Sequence, residues 1–406
     1  MIQSPNSSAA RSDALHLEIR EWETIQRRVS EATLLDLYQF DPRVIRIQRL
    51  PNGLTQITAN SLVGRQRIGA VDLVIKPKTS IPALLTILAE THDLVRHLPD
   101  LAGFDESPEI VDLLIRTFLS QVDHLSQRGL RRSYVNCEDQ LVPVRGRLDV
   151  RRTMALHMQA KPHVWCAFDE FTLDVPANQV LLTTLRAIIA NSSILPKRRK
   201  LAHQLSADFA GVSELPIQRV RLGEIAFDRL NMHYKPALNL AQIILASMGI
   251  ANSLGGTESN GFFLNMNELF EVFVFRRLAA ILHPAGVTVR DQHSMRFDKS
   301  GQAEIRPDLI IQAPMGRRLA ADTKYKTSDK PQPSDLYQML AYCRVMGIDR
   351  GLLITVGQGA PRTYQVCDGE TSIEVIPVDL DGTPNDIMNS LTNLANWIRT
   401  VGLKMA

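Results

Sequence analysis

Between residues 265 and 356 the hydrophobic period of this chain changes repeatedly, and the order of elements it spells constrains the fold more than any other feature. Residues 265–279 (NMNELFEVFVFRRLA) have the spacing of an amphipathic to wholly apolar helix. Residues 304–313 (EIRPDLIIQA) read as a strand, Pro314, Met315 and Gly316 turn the chain, and residues 318–326 (RLAADTKYK) read as the returning strand. Ser334 is placed to cap a second helix, SDLYQMLAYCRVM, which Gly347 ends. Residues 351–356 (GLLITV) form the continuous apolar run of a buried strand. Helix, strand, strand, helix and strand in that order predict an α/β domain around a central mixed sheet.

Strand geometry gives this segment its chemistry. Side chains alternate faces, so Asp322 and Lys324 share one face of their strand. If the two strands pair about the 314–316 turn, Asp308 and Asp322 converge. Two carboxylates with further oxygen ligands suit Mg²⁺, and a lysine beside them can reach an attacking water, orienting or polarising it, or stabilise negative charge developing on a phosphate. The plainer reading is a solvated hairpin with a surface ion pair, because Asp and Lys are common and short motifs need context. Three features weigh the other way. Pro307 and Asp308 sit in an otherwise apolar strand, Ala320 and Ala321 leave room for an ion before Asp322, and the element order fits. Gln338 and Tyr342, four apart, share a helix face and can point back over the site. Alternatively Tyr342 is an ordinary half-buried tyrosine. Glu271 lies between Phe270 and Val272, and a buried carboxylate there needs a partner such as a metal or a lysine. Glu268, one turn earlier, competes with it, and either glutamate could instead be a solvated surface residue.

The remainder of the chain is organised more loosely. Residues 69–78 (GAVDLVIKPK) alternate with period two, and Asn52-Gly53 is a turn signal upstream. Helical spacing begins at Leu84, returns up to Gln127 with Gly129 beyond its end, and recurs from Ala177 and from Pro236. Residues 251–261 (ANSLGGTESNG) are the best linker. The expected organisation is a disordered N-terminus at 1–14, an N-terminal region at 15–250 (β-rich over 15–80, largely helical over 81–250) and a C-terminal domain at 262–406. A net charge of +3 over 406 residues excludes a polycation, so nucleic-acid contact would need local basic clusters. The four cysteines form no CxxC pair and read as reduced thiols. No stretch has the length and apolarity of a bilayer span or a signal peptide, which points to a cytoplasmic protein with no membrane partner.

RPDLII (306–311), DTKYK (322–326), SDLYQMLAY (334–342) and NMNELFEVFV (265–274) together resemble the PD-(D/E)xK nuclease superfamily with its additional QxxxY helix. With DLVIKPK (72–78), VRGRLD (144–149) and FDEFTLDVPANQ (168–179), the chain is similar to the McrC family over about residues 18–380. McrC proteins are nuclease subunits of McrBC modification-dependent (5-methylcytosine) restriction systems. The resemblance implies a C-terminal restriction-endonuclease-like domain, a Mg²⁺ cofactor and DNA as substrate. It also implies an AAA+ GTPase partner that recognises methylated DNA, docks on the N-terminal region and is stimulated by it, and it leaves room for a homodimer within the complex. The absence of a GxxxxGK[ST] loop fits a chain that borrows its motor. Carried over by motif, the metal ligands fall on Asp308, Asp322 and Glu271, the lysine on Lys324, and supporting roles on Gln338 and Tyr342. Two other readings compete. One is a catalytically silent activator of a partner NTPase. The other is a DNA-binding module using Arg145, Arg147, Arg151 and Arg152, which lacks a helix-turn-helix signature.

Overall fold

The period-two segment of residues 69–78 becomes a strand in the computed structural model. The structure describes residues 15–92, 110–158, 162–216, 225, 227–253, 261–292, 294–314, 316–326, 330–367 and 369–403. The expected disordered segment 1–14 lies outside them. The chain divides into two compact units, Met1–Ile110 together with Ile250–Ala406, and Val111–Gly249.

The first unit opens with β1 (Leu15–Arg20), β2 (Thr24–Arg27), α1 (Glu31–Tyr38), β3 (Ile45–Arg49), β4 (Thr55–Ala59), β5 (Leu62–Ile68), β6 (Val71–Lys76) and α2 (Ile81–His92). Asn52-Gly53 makes the turn from β3 to β4. Gly53 takes φ 78°, which a side chain would resist, and Asn52 Oδ1 accepts from Leu54 N at 3.0 Å. β2 and β3 flank β4, and β6 lies between β1 and β5. The inward residues Leu17, Ile19, Leu37, Ile45, Ile57, Leu73 and Ile75 form one apolar cluster. Burying each contributes about 1.5–3 kcal/mol.

The second unit contains α3 (Ile110–Gln127), β7 (Ser133–Leu141), β8 (Arg147–Leu148), α4 (Val150–His157), β9 (Val164–Thr172), α5 (Pro176–Ala190), α6 (Pro196–Ser206) and α7 (Lys235–Ser253). Helices carry its core through Leu113, Phe118, Leu181, Leu185 and Leu240. The sheet β7-β9-β8 is an addition to the helical region expected here. Its strands are largely exposed, so they lack the apolar alternation that betrays a half-buried strand.

The chain then re-enters the first unit. Asn265 ends β10 (Gly261–Asn265) and caps α8 (Met266–Leu282). The residue range expected as a linker thus ends in a strand: Gly261 begins β10, which pairs antiparallel with β5. Phe263 joins the apolar cluster of the N-terminal sheet. Gly64 makes the close approach possible, because a Cβ there would lie 1.9 Å from the Phe262 carbonyl oxygen.

Beyond α8 come β11 (Thr288–Asp291), β12 (Met295–Arg296), β13 (Glu304–Ile305), β14 (Leu309–Gln312), β15 (Arg318–Lys324), α9 (Pro333–Met346), β16 (Arg350–Val356), β17 (Arg362–Gln365), β18 (Ser372–Val378) and α10 (Pro384–Trp397). They build a six-stranded mixed sheet in the order β11-β14-β15-β16-β18-β17. β14 and β15 are antiparallel, with Leu309 opposite Ala321. β15, β16 and β18 are parallel. α9 is the crossover between β15 and β16, and packs Met339, Tyr342 and Cys343 against Ala320 and Leu353. Its N-cap is Gln332, not Ser334. Pro333 takes the first helical position, and Gln332 and Asp335 form a reciprocal capping box. The strand expected over 304–313 is interrupted at Arg306-Pro307-Asp308, since Pro307 has no N–H to give a ladder. No helix among the described residues is long and apolar enough to cross a membrane.

Candidate active site

Four elements bring the predicted residues together. β15 supplies Asp322 and Lys324, the segment before β14 supplies Asp308, α9 supplies Gln338 and Tyr342, and α8 supplies Glu271. Asp322 and Lys324 point to the α9 side of the sheet, the face that also carries Ala320. Asp308 Oδ2 accepts from Thr323 N at 2.7 Å and from Thr323 Oγ1 at 2.8 Å. Its carboxylate is thereby pinned one residue along from Asp322.

Asp322 is buried, with a side chain 1% exposed. Its Oδ2 lies 2.5 Å from Lys324 Nζ as an ion pair, yet it is not aligned to accept a hydrogen bond. Burial, and then the charge of Asp308, push the Asp322 carboxyl up to about 6, although Lys324 pulls it down. Burial also works against the lysine charge, but the carboxylates of Asp322 and Asp308 outweigh it and raise the Lys324 ammonium above its ordinary value.

A chain of hydrogen bonds runs outward from this pair. Lys324 Nζ donates to Gln338 Oε1 at 3.2 Å, Gln338 Nε2 to Tyr342 Oη at 2.8 Å, and Tyr342 Oη to the Arg306 carbonyl at 3.0 Å. The i, i+4 spacing of Gln338 and Tyr342 accounts for their contact. Burial, and then the Asp322 charge, push the Tyr342 hydroxyl up to about 12, so it remains a donor.

Glu271 is half-buried on α8. Its Oε1 accepts from Gln292 Nε2 at 2.7 Å. Desolvation raises its pKa, the Gln292 hydrogen bond opposes that, and Asp308 and Glu268 add to it. Glu268 is exposed and occupies the first turn of α8. Among the described residues no three His, Cys, Asp or Glu side chains make a ready-formed metal group. The donor set nonetheless fits a divalent cation. Asp322 offers a buried, unaligned carboxylate oxygen beside a second carboxylate, and hard oxygen donors suit Mg²⁺.

Sequence reasoning gave no role to Arg306, Gln292, Thr323 or Tyr325. Arg306 donates through Nε to the Gln292 carbonyl at 3.0 Å and through Nη2 to Gln292 Oε1. Arg306 and Tyr325 lie inside the quoted motifs, so proximity could have flagged them, whereas Gln292 has no sequence signal. Tyr325, just after Lys324, is buried and donates to Glu21 Oε1 at 2.9 Å. That same oxygen accepts from Lys78 N at 2.7 Å, and Thr79 Oγ1 lies 3.3 Å from the phenol oxygen. The end of β15 is therefore tied to the ends of β1 and β6. In the other unit, two arginines of the suggested basic patch are engaged. Arg145 stacks over Phe168, while Arg152 pairs with Glu138 and covers Trp165.

Residues 57–354 match the family model for the McrBC 5-methylcytosine restriction system component. The chain belongs to that family. A solved structure places the fold of this McrBC-family chain beside a chain of a Thermococcus gammatolerans assembly, described as a half-complex from a tetradecamer of McrB AAA+ hexamers with bound McrC. The two are 19% identical, with a TM-score of 0.58 over 94% of this chain and all of the other. A cryo-EM structure of the T. gammatolerans McrBC complex is 21% identical, with a TM-score of 0.42 over 66% of this chain and 88% of that one. No curated protein matches the sequence.

Proposed function

We propose that this McrBC-family chain is the metal-dependent endonuclease subunit of its restriction system and cuts DNA by phosphodiester hydrolysis in a PD-(D/E)xK centre. The observation that carries the reading is Asp322, a buried carboxylate with an unaligned oxygen, held between the charges of Lys324 and Asp308. Asp308 and Asp322 are the residues to hold Mg²⁺, with Glu271 as the third carboxylate. When bound, the cation supplies polarisation of a phosphate oxygen and a more acidic attacking water. Lys324, kept charged by the carboxylates, stabilises negative charge developing on the scissile phosphate. Gln338 orients that ammonium, and Tyr342 anchors the Arg306 carbonyl so that Asp308 keeps its place.

The chain acts with an AAA+ GTPase that recognises modified DNA, and residues before about 250 stimulate GTP hydrolysis. The Thermococcus assembly of McrB AAA+ hexamers with bound McrC supports that pairing. The test is cleavage of methylated DNA with partner, Mg²⁺ and GTP, run beside a GTPase assay. Asp308→Asn is expected to abolish cutting and Lys324→Ala to slow it on the order of 10²–10³-fold, and both are expected to keep GTPase stimulation. Cutting at the parental rate by either variant removes the site assignment. Stimulation by a parent chain that never cuts would favour a silent activator.

A further inference from the structure

Only two non-glycine residues among those described adopt positive φ, Trp22 at 62° and Gln292 at 44°. An L side chain resists this conformation, and it persists where surrounding contacts over-determine it. At Gln292 those contacts converge on the candidate site. Its N–H donates to the Asp308 carbonyl at 2.9 Å. Its carbonyl accepts from Arg306 Nε, its Oε1 accepts from Arg306 Nη2, and its Nε2 donates to Glu271 Oε1. One exposed residue at the end of β11 thus grips α8 and both ends of the Arg306-Pro307-Asp308 segment.

We propose that Gln292 is a positioning residue of the metal centre, using its left-handed backbone and carboxamide to set Glu271 beside the Asp308–Asp322 pair. The inference rests on the nuclease reading above. The carboxamide has the two-sided chemistry the position needs. Its oxygen takes the Arg306 guanidinium and its nitrogen takes the glutamate, so neither charge is left to pair with the other. The bond engages Oε1 of Glu271 and leaves Oε2 to a cation. Partners of this kind orient carboxylate ligands, and their loss typically weakens metal affinity by about 10–100-fold. A merely structural Gln292 predicts something different. Glycine adopts positive φ freely, so Gln292→Gly relieves backbone strain while deleting the clamp.

The experiment uses the full-length protein, with Mn²⁺ binding followed by calorimetry and melting followed in EDTA. Gln292→Gly is expected to melt at or above the parental temperature and to bind Mn²⁺ at least about 10-fold more weakly. Gln292→Met, which keeps the length and removes the polar atoms, is expected to lose affinity to the same extent. In the Gln292→Met/Glu271→Gln double variant the losses should fall well short of additive. Parental Mn²⁺ affinity in folded Gln292→Met, or fully additive losses, overturns the positioning role alone. Absence of saturable Mn²⁺ binding by the parent, or parental binding by Asp308→Asn, overturns the nuclease reading and this inference with it.

Discussion

Asp308 accepts two hydrogen bonds from Thr323, and this determines which substitution separates its chemistry from its support. From the sequence, alanine at Asp308 is expected to relieve repulsion and stabilise the protein. The structure argues the reverse, because alanine strands the buried Thr323 N–H at a cost of about 1–3 kcal/mol. Asparagine retains an acceptor, so Asp308→Asn is expected to lose cleavage with little change in melting temperature. Lys324→Ala should lower cleavage on the order of 10²–10³-fold, the scale of one preorganised transition-state donor. Single-turnover cleavage beside thermal melts checks both. At this scale the sequence was informative about acids and bases and silent about what holds them. The shared face of Asp322 and Lys324 follows from period two alone. The Gln292 clamp depends on where α8 and β11 meet, which no local pattern encodes.

At the scale of elements, the hairpin of β14 and β15, the apolar β16 and the start of α8 were legible because burial there obeys a simple period, whereas α8 runs three residues beyond the expected end at Ala279. The break at Arg306-Pro307-Asp308 and the Gln332 cap were not, since both come from proline overriding an otherwise regular pattern. The tie between β1 and β15 was also hidden, as Glu21 and Tyr325 are some 300 residues apart. Its energetics can be tested. Burial, opposed by hydrogen bonds from Lys78 and Tyr325, raises the Glu21 pKa from 4.5 to about 7. The folded state therefore holds its proton more tightly than the unfolded chain does. Glu21 imposes no penalty below about pH 4.5, and stability falls as pH rises from there to about 7. The full difference is on the order of 3 kcal/mol. Glu21→Gln should flatten urea-denaturation stability between pH 5 and 7. An unchanged slope would mean that Glu21 does not titrate in this range.

For the whole molecule, β10 decides which pieces stand alone. Residues 262–406, expected from the sequence as a domain, contribute Phe263 to the N-terminal sheet and Arg277 to an ion pair with Glu90 at 3.2 Å. A fragment of 262–406 is expected to melt well below the full chain, whereas 111–249, an uninterrupted unit, should fold by itself. Circular dichroism melts of the two fragments decide this, and a 262–406 fragment as stable as the parent would count against it. Gly64→Ala attacks the same join. A Cβ 1.9 Å from a backbone oxygen cannot be relieved by a side-chain rotation, so a loss of roughly 4 kcal/mol or more is expected in urea titration.

The β5–β10 pairing also sets a clock. During synthesis the outer edge of β5 is complete long before residues 261–265 leave the ribosome, because the entire second unit is made in between. At 5–20 residues per second the wait is roughly ten to forty seconds. Throughout that interval a strand edge with free backbone groups lies open to other chains. Two nascent copies close together can each lend the other its β10, so slowing translation after residue 249 should raise the yield of strand-exchanged dimers.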